Sequence, residues 1–335
     1  MIGPAAIAAA HRFRGIEEIG MSDQADRLRQ LVSASRAPNT LTTTEARPTT
    51  RLPASTSATR PARSLLFTSG KGGVGTSNLV LNLAIALGEL GHRVLVVDAD
   101  IGLANLDLLC GLSPRNDLGD VLAGRCSLAE AVMEGPGGIR ILPGAHAIRT
   151  GPEALDGGPA LLVDELGELE ADADFLLVDA GSGLGPGALR LATAAEMAVV
   201  VTTPEPTSLA DAHAATARFR RLTAPPRLRV VVNQARTSAE AAEVLDRFVV
   251  TSRQFLGVVV SPIGQSIRAD PSVGQAVRNR VPFVLAHPNS IASRGVRRLA
   301  RALSREDTRA QPRGRRPGFF TGLATRWALG MVTTG

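Results

Sequence analysis

The sequence is almost without lysine. Of its 37 basic residues, only Lys71 is lysine and the rest are arginine. Tyrosine is absent, tryptophan occurs once, and aromatics make up 3% of the chain. The core that a hydrophobic content of 44% can build must therefore be Val, Leu, Ile and Ala. Such a core suits a buried parallel sheet, whose strands read as continuous aliphatic runs. There are two cysteines, Cys110 and Cys126, and neither has a His or Cys neighbour at metal-binding spacing. That excludes a disulfide scaffold and a zinc module and fits reduced structural thiols in the cytosol. No apolar run reaches the roughly 18 residues a bilayer span needs, and the apolar stretch 4–10 is too short for a signal core. Acid is missing from one place: from Arg309 onward there are five arginines (309, 313, 315, 316 and 326) and no Asp or Glu. Most of the net charge of +6 thus lies in the tail, which argues against a basic DNA-binding body and for a basic tail. His11, His92, His146, His213 and His287 are scattered and fit no catalytic pattern.

What is present divides into segments. Met21 is a candidate start, which would make residues 1–20 the product of a mis-called start. Residues 21–32 form a short helical pattern, with Ser22 as N-cap, acids in the first turn, and Ala25, Leu28 and Val32 on one face. Residues 33–63 are Ser, Thr, Pro, Ala and Arg without apolar periodicity, the composition of a disordered linker. From Ser64 to about residue 305, strands alternate with helices. Strands are expected at 65–68, 94–98, 139–142, 175–179, 198–202, 228–233 and 256–260, and helices at 77–90, 159–169, 209–222, 239–249 and 290–303. The alternation predicts a doubly wound α/β domain with a mostly parallel sheet of about seven or eight strands and helices on both faces. A basic linker, 306–318, leads to 319–331, where Phe319, Phe320, Leu323, Trp327 and Met331 share one helical face.

The chemistry concentrates in Gly70-Lys-Gly-Gly-Val-Gly-Thr-Ser77, between the first strand and the first helix. That is the setting of a P-loop. Amides of Gly72, Gly73, Val74, Gly75, Thr76 and Ser77 would form an anion nest at a helix N-terminus, and the Ser77 hydroxyl stands where Mg²⁺ takes a ligand. In register with G-x-x-x-x-G-K-[ST], the lysine that normally holds the β- and γ-phosphates falls at Thr76. Lys71 lies at the other end of the loop. Two acids, Asp98 and Asp100, follow the aliphatic run ending at Val97, and Asp179 ends Phe175-Leu-Leu-Val178. Carboxylates at strand C-termini face the ligand crevice of an open α/β sheet.

These residues resemble the deviant Walker A class of MinD and ParA, K-G-G-x-G-K-[ST], with the first lysine present as Lys71 and the second replaced by Thr76. The resemblance implies that Lys71 reaches across an ATP-sandwiched dimer to the partner's nucleotide. It implies Asp98 and Asp179 near Mg²⁺ with Ser77, Asp100 positioning the attacking water, and Asn233 contacting adenine. Asp23-Gln-Ala-Asp-Arg-Leu-Arg29 resembles the D-Q-A-x-x-L-R motif of the FlhG (FleN, YlxH) flagellar-number ATPases. There it stimulates FlhF, a signal-recognition-type GTPase, which assigns partner contacts to Asp23, Gln24, Ala25, Leu28 and Arg29. Residues 281–294 resemble the same proteins, and 319–331 resemble their amphipathic membrane-targeting helix. By that likeness Phe319, Phe320, Leu323 and Trp327 would enter an anionic membrane surface.

The expected function is a FlhG-like, ATP- and Mg²⁺-dependent switch. It would form a homodimer with ATP, pair with an FlhF-type GTPase, work from the cytoplasm on the inner face of the cell membrane, and show weak ATPase activity. One rival is a hydrolysis-deficient nucleotide-binding scaffold. A second is a ParA-type partition ATPase, which the near-neutral body and the residue 23–29 motif oppose; no specific DNA binding is expected.

Overall fold

Strict alternation along the strands splits the core in two. In β1 (Arg63–Ser69), Leu65 and Phe67 join one hydrophobic cluster while Leu66 joins the other. The same two-residue period runs through β5 (Phe175–Ser182), with Phe175 and Leu177 on one side and Leu176 and Val178 on the other. Both faces are covered, as a parallel sheet requires. The computed structural model describes residues 61–100, 103–145, 160–182, 185–264, 266–309 and 317–328. The N-terminal helix expected at 21–32, with Asp23, Gln24, Ala25, Leu28 and Arg29, lies outside the described residues, as do the linker up to residue 60 and 310–316 of the basic linker.

The remaining strands are β2 (Val94–Asp98), β3 (Met133–Glu134), β4 (Arg140–Leu142), β6 (Met197–Thr202), β7 (Arg227–Val232) and β8 (Ser261–Pro262). They form an eight-stranded sheet in the order β3-β4-β2-β5-β1-β6-β7-β8, parallel except for the β3–β4 pair at one edge. The helices are α1 (Thr76–Gly88), α2 (Leu106–Cys110), α3 (Leu118–Leu122), α4 (Leu128–Ala131), α5 (Ala160–Ala171), α6 (Pro186–Ala194), α7 (Pro206–Arg220), α8 (Ser238–Leu256), α9 (Pro271–Arg278), α10 (Phe283–Ala286), α11 (Ile291–Arg309) and α12 (Phe319–Ala328). One face of the sheet is covered by α1, α9, α10 and α11, and the other by α3, α4, α6, α7, α8 and α12.

Several expectations change. β1 begins at Arg63, inside the segment read as linker. That arginine is buried because its Nη1 donates to the Leu303 carbonyl (2.7 Å) and its guanidinium lies 5.4 Å from the Phe175 ring centre. The strand expected at 256–260 is not one. Helix α8 runs on to Leu256, burying Phe248 and Ser252, and closes at Gly257 with φ 62°, so pairing waits until Ser261. β7 ends at Val232, which leaves Asn233 in the loop beyond the strand. The β3 edge strand and the short helices α2, α3, α4 and α10 carry too few residues for a period to show.

The tail differs most. Phe319, Phe320 and Leu323, expected to face lipid, are buried in the second core cluster, where α12 packs against α5 and α6. The two phenyl rings meet edge to face at 5.1 Å. Glu170 of α5, itself buried, accepts the amides of Phe319 (2.7 Å) and Phe320 (3.1 Å), taking up two of the open donors at the start of α12. Burial pushes the Glu170 carboxyl up, against the pull of those two bonds. The physical reason for the change is that an apolar helical face closes on whichever apolar surface is in reach, and the domain provides one. The side chain of Trp327 lies outside the described residues.

Candidate functional site

The loop after β1 delivers open amides to one point. Gly75 caps α1 with φ 86°, a left-handed conformation that strains any side chain, and a Cβ there would lie 2.7 Å from Asn233 Nδ2. No side chain caps α1 and no acid sits in its first turn, so its leading N–H groups are available to an anion. Thr76 begins the helix. It is buried, and its Oγ1 has no hydrogen-bond partner. Lys71 stands on the opposite rim. Its Nζ donates to Glu205 Oε2 (2.8 Å) and Thr207 Oγ1 (3.1 Å) at the start of α7, and the side chain remains 40% exposed. An exposed pair of this kind is worth about 0–1 kcal/mol, so Lys71 is held only loosely.

Sheet register brings the acids together. Asp98 ends β2 directly opposite Asp179 of β5, which in turn pairs with Phe67 of β1. Three adjacent strands thus present two carboxylates and the loop along one edge. Both acids are fully buried. Asp179 Oδ1 accepts the Gly181 amide (3.0 Å), while Oδ2 has no hydrogen-bond partner. Burial, with the neighbouring Asp98 charge, pushes Asp179 up to about 7, although the Ser77 hydroxyl pulls it down. Asp98 reaches about 6, again through burial first, countered by amides of Leu106, Asp100 and Asn105. The two oxygens of Asp98 accept the Asp100 amide (3.2 Å) and those of Asn105 (3.0 Å) and Leu106 (3.2 Å), which fixes the segment leading into α2. Asp100 is half-buried and raised by desolvation. Its carboxylate sits over Gly181 so closely that a Cβ at 181 would lie 2.1 Å from Asp100 Cγ; with φ 62° there as well, only glycine fits. Two buried carboxylates side by side, with the Asp179 Oδ2 unpartnered, could offer one oxygen to a cation; among the described residues no group of three or more His, Cys, Asp or Glu is placed to hold a metal ion.

Asn233 also arrives at the loop. Its Nδ2 donates to the Val74 carbonyl at 2.8 Å, and its Oδ1 accepts the Gln234 amide at 3.0 Å. Of the residues read from sequence, Lys71, the loop 72–77, Asp98, Asp100, Asp179 and Asn233 therefore converge, while Phe319, Phe320 and Leu323 lie in the core beside α5 and α6. Sequence reasoning missed Glu205 and Thr207 as partners of Lys71, Gly181 as the seat of Asp100, Gln234 beside the loop and Glu170 under α12. Glu205 before Pro206 is a readable helix start, but nothing local in the chain ties it to a lysine 134 positions away.

The donor set fits a magnesium nucleotide. Uncapped amides suit the phosphates, and the unpartnered Asp179 oxygen beside Ser77 and Asp98 suits a hard divalent cation. The positive charge that would complete it is lacking at Thr76. Comparison with known proteins agrees. Residues 65–282 match the family described as the CobQ/CobB/MinD/ParA nucleotide binding domain. The chain is 35% identical over 270 residues to the antiactivator FleN of Pseudomonas aeruginosa, covering 81% of this chain and 96% of that protein. It is 40% identical over 155 residues to the flagellum site-determining protein YlxH of Helicobacter pylori, 45% of this chain and 51% of that one. Among solved structures, the septum site-determining protein MinD of Pyrococcus horikoshii complexed with Mg-ADP superposes with a TM-score of 0.60 at 28% identity, covering 73% of this chain and 97% of that one. With the P-loop, the paired strand-end acids and the sheet order in agreement, the chain belongs to the CobQ/CobB/MinD/ParA nucleotide-binding family, on the branch of the FleN and YlxH flagellar proteins.

Proposed function

We propose that the protein is a nucleotide-dependent, dimerising switch that sets flagellar number or placement at the membrane, together with an FlhF-type GTPase. The observation that carries the reading is the in-register pair Asp98–Asp179 beside an uncapped helix N-terminus, with one buried acid oxygen unpartnered. Amides of residues 72–77 would hold the phosphates of ATP, and Ser77, Asp98 and Asp179 would hold Mg²⁺. The metal, when bound, supplies charge neutralisation on the phosphate oxygens. Asp100, shifted off Gly181, would orient a water, and Lys71, released from Glu205, would meet the partner subunit's nucleotide. Phosphoryl chemistry of this kind rests on positioning and charge. With a neutral residue at 76, turnover is slow. The unpartnered Thr76 hydroxyl favours one second reading, a scaffold that binds nucleotide without hydrolysing it.

Attachment to lipid requires α12 to leave α5 and α6. Exposing each of Phe319, Phe320 and Leu323 to water costs about 1.5–3 kcal/mol, so the helix stays docked until a bilayer receives the same side chains. Arginines of the tail then add about 1 kcal/mol each at an anionic surface. No helix among the described residues is long and apolar enough to cross a membrane, and α12 would lie in the interface instead.

The test is sedimentation with anionic vesicles, with ATP–Mg²⁺, with ADP and without nucleotide, for the full chain and a chain ending at residue 316. ATP-dependent binding by the full chain and none by the shortened one is expected. Equal binding by both chains would remove the membrane role of α12. Binding indifferent to nucleotide would remove the switch.

A further inference from the structure

Asn233 is placed by the family likeness at the adenine base, yet here its amide group serves the phosphate loop. Nδ2 donates to the Val74 carbonyl at 2.8 Å, inside the loop and one residue before the helix cap. Oδ1 is engaged from the other side by the Gln234 amide at 3.0 Å, which orients the carboxamide so that its NH₂ faces the loop. The root of the side chain is rigid, because the Asn233 amide continues the β6–β7 ladder onto the Thr202 carbonyl at 2.8 Å. Gln234 follows with φ 60°, unusual for a residue with a side chain, and its Nε2 lies 3.4 Å from the Gly73 carbonyl. Gly75 leaves room for this contact, since a Cβ there would collide with Asn233 Nδ2. Two consecutive carboxamides just beyond β7 thus hold two consecutive carbonyls of the loop, those of Gly73 and Val74, and turning those carbonyls toward β7 turns the Val74 and Gly75 amides, trans to them across the peptide bonds, away from it.

The geometry points to Asn233, seconded by Gln234, as the positioning residue of the phosphate loop: a brace that keeps the loop amides aimed at a polyphosphate whatever base it carries. This rests on the nucleotide-binding reading above and assigns within it a contribution to phosphate affinity that base recognition would not make. Asn233→Asp is the informative variant. It keeps the size of the side chain and the acceptor for the Gln234 amide and removes the donor facing Val74, but it also adds a carboxylate charge beside the anion site, so the uncharged Asn233→Ala sets the size of the brace effect.

The experiment measures binding of inorganic tripolyphosphate, ATP and GTP, each with Mg²⁺, by calorimetry for wild type, Asn233→Asp and Asn233→Ala. Thermal melts and hydrogen exchange of the peptide 70–82 are recorded without ligand. Loss of one such hydrogen bond predicts tripolyphosphate binding weaker by about threefold to tenfold in Asn233→Ala, and by at least as much in Asn233→Asp, where the added charge also repels the ligand. ATP and GTP should weaken in parallel, and exchange in 70–82 should be faster. Unchanged tripolyphosphate binding with an altered ATP:GTP ratio would make Asn233 a base reader and overturn the brace. If wild type binds none of the three, the nucleotide reading fails, and the ligand-free exchange decides the brace alone: no acceleration in either variant refutes it.

Discussion

Position 76 shows how much one side chain can decide. A lysine there would put a charge-assisted hydrogen bond onto phosphate oxygens, worth about 1.5–3 kcal/mol. Threonine supplies none, and its hydroxyl is buried without a partner. The expected result for Thr76→Lys is ATP affinity at least about tenfold tighter, read by titration with a fluorescent nucleotide. No change would mean that the loop does not hold the terminal phosphates as argued. Lys71 cannot substitute from its own subunit while it bonds Glu205 and Thr207. Its side chain, a compact ammonium on a flexible stem, is suited to leaving that exposed pair for another anion. That property suits lysine, rather than arginine, to the role proposed for position 71.

At the scale of elements, capping shows how separate helices are joined. Asp270 caps α9: its Oδ1 accepts the Ser272 amide (3.0 Å) and hydroxyl (2.7 Å), while its Oδ2 accepts the amide of Ala292 in α11 (3.1 Å). Desolvation raises the carboxyl, but the bonds from Ser272 and Ala292 outweigh it and hold the group down at about 2, below its ordinary 3.8. A depressed carboxyl contributes stability above its unfolded pKa and loses that contribution as pH falls through the folded one. Asp270→Ala should therefore cost about 1 kcal/mol at pH 7, read by urea unfolding. The gap to wild type should narrow between pH 3.8 and about 2. A gap independent of pH would mean that packing, not the carboxylate, joins α9 to α11. Asn82 does similar work without charge: buried in α1, it accepts the Val284 amide at 2.8 Å and so docks α10. Such a residue reads in sequence as a polar interruption of an apolar helix, because its partner lies 202 residues away.

At the scale of the whole molecule, the site is an edge where three strands end, and the proposed switch calls for a second copy of the chain. ATP with Mg²⁺ should convert a monomer to a dimer, measured by light scattering after gel filtration. Lys71→Ala should abolish that shift while leaving the ADP-bound monomer intact. A variant that dimerises as well as wild type would end the role of Lys71 across the interface. Much of this architecture was legible beforehand. Aliphatic runs separated by helical periods are determined locally, so the parallel sheet and the two covered faces followed from pattern. The glycine loop and the strand-end acids followed from spacing. Strand order, the pairing of Asp98 with Asp179, and the end of β7 before Asn233 did not, since each depends on which strand lies beside which.

The tail marks the boundary between the two kinds of information. By itself the sequence placed an amphipathic helix at 319–331 behind a basic segment, because periodicity and charge are properties of the chain, and the structure forms it over Phe319–Ala328. What its apolar face meets is a matter of competition between surfaces, and only the tertiary structure decided it, by bringing α5 and α6 within reach of that face and Glu170 beneath the first amides of the helix. The loop divides the same way. Its glycines and the missing charge at 76 are written in the sequence, whereas the direction of its amides is set by Asn233 and Gln234, which reach it only after β7 has taken its place beside β6.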